Sequence, residues 1–545
     1  MVKGKVHLGV SQPLSLVGPS EKDRMLEKQL EAALQKYNMY ESREVSLLRD
    51  TVLQKLELLT QQFVYKASIQ LGFTPEQARL AGGKVMTFGS CRLGVQAANA
   101  DIDAVCICPR HITRDHFFDG VCDILENEPE VTQFTAIKES YVPIIKLKFL
   151  GIPVDLLCAR IPLPTVPKDL DIDNNELLIS MNEKDIRSIN GTRVADAILQ
   201  LVPDVDTFRT AVRCIKLWAI RRGIYSNILG FLGGVAWAIM VARVCQLYPN
   251  ACASTVASKV FGIMVNWQWP HPVRLCDDKE GPSLANLQSW DPKKNYMDRA
   301  HKMPIITPAY PTMCATHNMT NSTFKIVIGE CKRAAQIMDK IMVGSLPWEA
   351  LFEGHAFFRN YEHFLEIVVS SDNASRQLKW TGLVESRIRG LLNKLESVNG
   401  LALAHPFIEG FDNTYNCTSF DEVDAATRGA GIKTQESGQG MTVYTRTFYI
   451  GLYFKPVPAR EQVRLIDISW PISDFRRFSR SWEQYEEQHM DVIVRHVKRS
   501  MLPSEVRRIS VVKRASQTVS VSSAYKKPRI QFPATAPAAT MIPRT

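Results

Sequence analysis

With 545 residues, 45 % of them apolar and 22 % charged, the chain exceeds what one hydrophobic core can organise and has the composition of an ordinary multidomain globular protein. Its twelve cysteines are scattered with no Cys-x-x-Cys pair, which argues against structural zinc and a disulfide framework and fits a reducing compartment. The net charge of +10 is lodged at one end: from Arg495 onward there are eleven Lys or Arg and one acid, Glu505, leaving 55 basic and 55 acidic residues before it, so nucleic-acid contact or nuclear targeting is expected of the tail.

In chain order, Met1 to Ser20 lack the continuous apolar run of a secretory signal. Residues 21–70 are predicted helical, because Val52, Leu53, Leu56, Leu59 and Phe63 recur near the 3.6-residue period. Gly82-Gly83 breaks that pattern and a short strand, Val85 to Phe88, follows. Further strands are predicted over 101–108, 144–150 and 152–158, the last two meeting as a hairpin at Gly151, before a Pro-dotted loop at 161–168. Beyond Asp206 the pattern turns helical over 206–222, 231–248 and 323–343. The most apolar stretch, Phe231 to Ala242, is closed after twelve residues by Arg243, too short to span a bilayer, so no membrane association is expected. From about 345 the pattern mixes: strands over 363–370, 443–454 and 463–469, and a helix over 376–397. Residues 500–545, rich in Ser, Pro, Ala and basic side chains, are predicted disordered.

The sharpest local feature is Phe88-Gly89-Ser90, then ten residues, then Asp101-Ile102-Asp103. Strand geometry sends Asp101 and Asp103 to one face, and paired carboxylates repel unless a cation lies between them; a hard ion such as Mg²⁺ satisfies both. A Gly-Ser turn after a strand can present backbone N–H groups to phosphate. Asp155, a lone acid in an apolar strand, is the candidate third carboxylate for a two-metal site. Asp169, Asp171 and Asp173 also recur at period two, but follow a Pro-rich loop and are taken as surface, while Asp204 and Asp206 suit a helix N-terminus. Arg213 and Lys216 share a helix face, and Lys216 suits either an exposed helix position or a phosphate contact. Gly233-Gly234 allows either close helix packing or backbone approach to an anion.

Phe-Gly-Ser…Ala-Asp-Ile-Asp resembles the nucleotidyltransferase superfamily that includes DNA polymerase beta. Longer stretches narrow the likeness to the eukaryotic nuclear poly(A) polymerases: Arg92 to Val95, Pro109 to His111, Ser188 to Gly191, Ile215 to Ala219, Ile224 to Val235, Cys245 to Asn250 and Met303 to Pro311. The match is dense from Phe88 to Pro311 and thins beyond Arg389. It implies a metal-binding catalytic triad of Asp101, Asp103 and Asp155, with Asp155 nearest the attacking 3′-OH. It also implies nucleotide contacts at Phe88, Gly89, Ser90, Ile102, Asn190, Lys216, Tyr225, Asn227, Gly234 and Val235. Departures from the family pattern fall at Cys91, Gln96 to Asn99, Ile220 and Arg222-Gly223, none of them a proposed metal ligand.

The fold class expected from this likeness is α/β plus α plus α+β: a nucleotidyltransferase catalytic domain with N-terminal helices (1–189), a helical middle domain (190–345), an RNA-recognition-motif-like RNA-binding domain (346–497) and a disordered basic tail (498–545). The implied function is template-independent addition of adenylate from ATP to RNA 3′ ends, using Mg²⁺ or Mn²⁺. The implied setting is a nuclear monomer acting with pre-mRNA cleavage and polyadenylation factors. The competing possibilities are a related RNA terminal nucleotidyltransferase of other nucleotide preference and a non-catalytic RNA-binding paralogue.

Overall fold

The computed structural model describes residues 8–138, 142–278, 281–282, 287–429, 440–456, 466–508 and 541–542. Contacts gather the chain into two compact units, one of Met1–Leu217, Gly234–Ala315 and Ala334–Leu351, the other of Trp218–Gly233, Thr316–Arg333 and Phe352–Thr545.

In the first unit the stretch 21–70, predicted helical, forms two helices, α1 (Glu21–Lys36) and α2 (Arg43–Gln70). Asn38 adopts a left-handed φ of 55°, which asparagine tolerates, and the Ser42 hydroxyl caps the restart at Val45 N. Then come α3 (Pro75–Ala81), β1 (Lys84–Thr87), α4 (Gly89–Leu93), β2 (Ile102–Cys108), α5 (Arg114–Glu126), β3 (Val131–Ile137), β4 (Ile144–Phe149), β5 (Ile152–Arg160) and α6 (Glu183–Leu201). The strands form one sheet in the order β1-β2-β5-β4-β3, with only the central β2–β5 pair parallel.

Side-chain alternation divides the sheet between two cores. Ile102, Ala104 and Cys106, with Val154, Leu156 and Cys158, pack against Leu56 and Phe63 of α2 and Phe117 and Phe118 of α5. The opposite face, Val105, Ile107, Leu157 and Ala159, packs against Ile186 and Ile189 of α6. Beyond α6 lie α7 (Val205–Arg221), α8 (Gly234–Leu247) and α9 (Ala253–Asn266). α8 is buried all round from Ala236 to Leu247, as befits a central helix. No helix among the described residues is long and apolar enough to cross a membrane, and none of the twelve cysteines is in a disulfide.

In the second unit, strands Met490–Lys498, His363–Ser371, Met441–Phe454 and Leu401–Pro406 neighbour one another in that order, all antiparallel, with Phe411–Cys417 also pairing Met441–Phe454. Helix Ala374–Glu396 packs on His363–Ser371 and Leu401–Pro406, and helix Ser469–Arg480 packs beside it and on Met490–Lys498. Phe364, Tyr449 and Val497 instead meet Phe357, Phe358, Phe407, Leu502 and Val506.

Two expectations are corrected here. Of the strand predicted over 463–469, residues 463–465 lie outside the described residues, Ile466–Asp467 is a strand, and a helix begins at Ser469, where apolar residues switch to helical spacing. The predicted disorder over 500–545 does not begin at 500: Ser504–Arg508 is helical, and Leu502 and Val506 are buried against the aromatic cluster. The tail from 509 on lies outside the described residues, apart from 541–542.

Candidate active site

Asp103 and Asp155 are register partners across the parallel β2–β5 pair. Asp101 stands just before β2 and leaves on the same side by the two-residue period. These acids continue the rows Val105, Ile107 and Leu157, Ala159 to the point where the apolar cover ends. One oxygen from each of the three carboxylates lies within 4.8 Å of the others, with Asp101 exposed and its two partners half-buried. Burial, then the Asp101 and Asp155 charges, push the Asp103 carboxyl up to about 7, against the opposing pull of Lys216 and Lys146.

The turn before α4 is built around this cluster. Gly89 has φ +58°, and a Cβ there would lie 2.5 Å from Asp103 Oδ2, so only glycine suits both the conformation and the close approach. The Phe88 N–H donates to the Asp103 carbonyl at 3.0 Å, tying the turn to the strand that carries the acids. Behind it, Thr192 Oγ1 donates to the Thr87 carbonyl at 3.1 Å, and Phe88 lies against Gly191 of α6. On the same helix Asn190 is half-buried, and its Oδ1 is a buried acceptor with no hydrogen-bond partner among the described residues, a costly state for a polar atom that no ligand meets.

Lys216 is not an ordinary exposed helix lysine. It is half-buried on α7, its ammonium held below the usual range by burial while Asp101 and Asp103 act in the other direction. Its neighbour Arg213 donates to the Gly94 carbonyl at 2.6 Å and stacks over Tyr40. Ile102 is buried in the sheet, so only its backbone can face a ligand. Gly234 opens α8 and Val235 follows, 38 % exposed, on a helix that packs beside α4 and α6.

Tyr225 and Asn227 belong to the second unit. There Tyr225 bridges to Leu232, and the Asn227 carbonyl accepts from Asn318 Nδ2 at 3.2 Å. Arg222, one of the departures from the family pattern, makes a bidentate pair with Glu330 at 2.7 and 2.9 Å, which assigns it to packing. The decoy acids behave as surface: Asp171 and Asp173 are exposed, and Asp171 Oδ1 caps the Asp173 N–H at 3.0 Å. Asp204 caps α7 through Thr207 N at 2.7 Å.

Two neighbours of the cluster were not singled out from the sequence. Lys146 faces Asp155 across the β4–β5 hairpin, with Nζ 2.7 Å from Oδ2. The signal was available, since a two-residue turn at Leu150-Gly151 sets Lys146 opposite Asp155 by counting. Arg49, buried on α2, donates to the carbonyls of Ala100 and Asp101 and makes ionic contact with Glu41 at 2.9 Å, while Glu41 also accepts from Gln96 at 2.7 Å. This clamp holds both ends of the loop that delivers Asp101, and nothing in local spacing announces it.

Three family models match the chain in succession: the poly(A) polymerase nucleotidyltransferase domain over residues 9–202, the poly(A) polymerase central domain over 207–354, and the poly(A) polymerase predicted RNA binding domain over 356–515. A poly(A) polymerase of Schizosaccharomyces pombe is 43 % identical over 529 residues, covering 91 % of this chain and 93 % of the relative. A nuclear poly(A) polymerase of Arabidopsis thaliana is 38 % identical over 497 residues, covering 91 % of this chain and 63 % of the relative. A solved structure of Cid1 in complex with its short product ApU is 13 % identical, with a TM-score of 0.43 over 61 % of this chain and 99 % of that one.

Proposed function

Since the chain belongs to the poly(A) polymerase family, we infer that it is a polynucleotide adenylyltransferase, adding adenylate residues from ATP to RNA 3′ ends without a template. The observation that carries this reading is the carboxylate cluster of Asp101, Asp103 and Asp155. The charges of Asp101 and Asp155 bear on the half-buried Asp103, no arginine pairs with the three among the described residues, and hard oxygen donors in that arrangement fit Mg²⁺ or Mn²⁺. Divalent ions held there would make the primer 3′-OH a better nucleophile and offset charge on the departing pyrophosphate.

The rest falls to the chain's own groups. In the transfer, the 3′-oxygen bonds to the α-phosphorus of ATP as the bond to the bridging oxygen breaks and pyrophosphate leaves. Asp155 receives the hydroxyl end, and Lys146 beside it fixes the carboxylate's direction. The Phe88-Gly89-Ser90 turn and Lys216 bind the triphosphate, and Lys216 adds positive charge where negative charge accumulates. Family resemblance assigns nucleotide contacts to Asn190, Gly234, Val235 and the backbone at Ile102, and by itself also to Tyr225 and Asn227. The domain limits proposed with this reading are those at residues 189 and 345, while the limit expected at 497 moves past Val506, which packs with Leu502 in the aromatic cluster. The named nuclear relative and the basic tail support a nuclear enzyme. It would act as a monomer beside pre-mRNA cleavage and polyadenylation factors.

Incorporation of each ribonucleotide into an RNA oligomer by purified protein tests the function. ATP should dominate by orders of magnitude. Preferential UTP incorporation, or RNA binding with no transfer, would overturn the reading.

A further inference from the structure

The second unit has a sheet with strand order and covering helices reminiscent of a base-stacking platform, but the platform is closed. Every residue from Phe364 to Ser371 on the central strand is buried, so neither face of that strand is open to a base. RNA bound to this unit therefore uses a surface other than that strand.

One is available on the paired helices Ala374–Glu396 and Ser469–Arg480. Their inner stripes, including Trp380, Val384 and Ile388 on one and Ile472 and Phe475 on the other, face the sheet. Outward stand two large aromatics, Trp470 at 60 % and Phe478 at 55 % exposure. Each lies against a cation of the neighbouring helix, with Lys394 Nζ 5.5 Å from the Trp470 ring centre and the Arg387 guanidinium 4.1 Å from that of Phe478. The two helices together carry eight Lys or Arg against three acids, Glu385, Glu396 and Asp474. Arg376 and Arg480 are matched to carboxylates outside them, Asp372 and Asp491. Lys394 and Arg477 share the single carboxylate of Asp474, and Lys379 is exposed. The face is therefore a locally cationic strip within a body of balanced charge.

We propose that this outward face, with Trp470 and Phe478 as stacking platforms and Lys379, Arg387, Lys394 and Arg477 as phosphate contacts, binds single-stranded RNA upstream of the 3′ end, an assignment that rests on the RNA-directed activity proposed above. Aromatic rings set among cations are what a strand of unpaired bases and phosphates requires, and such binding is indifferent to sequence. Eight residues of helix separate the two rings, roughly 12 Å, so stacked bases would meet them about three to four nucleotides apart. An acidic protein segment would be drawn by the same charge but would not need two exposed rings.

The test is fluorescence anisotropy of a labelled oligo(A) on the full-length protein across a salt series. Trp470→Ala with Phe478→Ala should weaken binding roughly tenfold or more and leave the salt slope in place. Lys379→Gln with Arg477→Gln should lower the slope of log K by about 1.4, roughly 0.7 per lost contact. All four side chains are exposed, so unchanged circular dichroism and melting are the control for folding. Unchanged affinity and slope in folded variants would overturn the proposal. So would intact oligo(A) binding accompanied by lost binding of an acidic peptide probe. Adenylate transfer by the parent protein decides the enzymatic reading separately, whichever way the binding measurements fall.

Discussion

Two groups of acidic side chains, one in each unit, do opposite jobs. In the second unit Glu366 is buried, accepts from Tyr449 Oη at 2.8 Å and pairs with Arg495, while Asp491 meets Arg480 at 2.7 Å. Each charge has a cation of its own, and such pairs hold a fold together without offering anything to a ligand. In the first unit Asp101, Asp103 and Asp155 press on one another, with Lys146 against Asp155 and Lys216 only partly offsetting the rest. A protein that leaves like charges together at the end of an apolar sheet face has kept them for something it binds. Burial alone does not mark a site; burial without a matching countercharge does.

The contrast is broken most severely by removing one acid of each kind. Asp103→Ala should abolish transfer, by about a thousandfold or more, without lowering the cation-free melting temperature, because a disfavoured charge has gone. Glu366→Ala should do the reverse. With Arg495 partly exposed, the loss of stability should be about 2–3 kcal/mol, while transfer per folded molecule persists. Melting curves in chelator, paired with primer-extension rates, read both. A cation-free Asp103→Ala protein that melts well below the parent would mean its carboxylate is structural after all.

The same difference should appear in pH. The Asp103 carboxyl lies near 7 in the folded chain and near 4 when unfolded. Below about pH 4 it is protonated in both states and contributes nothing. Between about 4 and 7 the unfolded chain has released a proton that the folded chain retains, so cation-free stability falls as pH rises. Above 7 the deficit is complete. Adding Mg²⁺ or Mn²⁺ should therefore raise the melting temperature more at pH 8 than at pH 5.5, and Asp103→Asn should flatten that dependence. Equal increments at both pH values would remove the carboxylate from the binding event.

How far the sequence disclosed all this follows from how local each feature is. The acid pair and its turn sit within sixteen residues, and strand periodicity alone places Asp101 with Asp103. The hairpin at Gly151 was legible too, with Leu150 at φ +48° and Gly151 at φ +80° in the tight turn. Helix α6 escaped because it is surrounded: Asp185, Ser188, Thr192 and Arg193 are buried beside Ile186 and Ile189, so no apolar stripe stands out. The Arg49 clamp joins positions 52 residues apart and has no local signature. The cationic strip was hidden by averaging, since a body of 55 basic and 55 acidic residues looks neutral until the fold sorts them.

A smaller effect separates the two lysines at the cluster from the acids. Lys216→Ala should raise the KM for ATP roughly tenfold with a modest change in kcat, because a point charge near the triphosphate acts before and during transfer. A loss confined to kcat would assign it to the transition state alone. Steady-state kinetics with saturating primer makes the distinction.

The smallest effect concerns the tail, and the structure decides where to cut. Truncation after Pro503 would remove Val506, which is buried in the aromatic cluster, and would confuse lost packing with lost charge. Cutting after Arg508 spares that helix and removes six basic residues, Lys513, Arg514, Lys526, Lys527, Arg529 and Arg544, with no acid among them. If half of them touch RNA, the salt slope of oligo(A) binding should fall by about 2, at roughly 0.7 per contact, while kcat stays put. The helical strip and the tail would then contribute separable increments to one slope, and combining the truncation with Lys379→Gln and Arg477→Gln should add them. Cellular distribution of the truncated chain reads the other role, because Lys526-Lys527-Pro528-Arg529 also suits an import signal. An unchanged slope with unchanged nuclear accumulation would leave the tail as a spacer and assign the unit's RNA affinity to its folded surface alone.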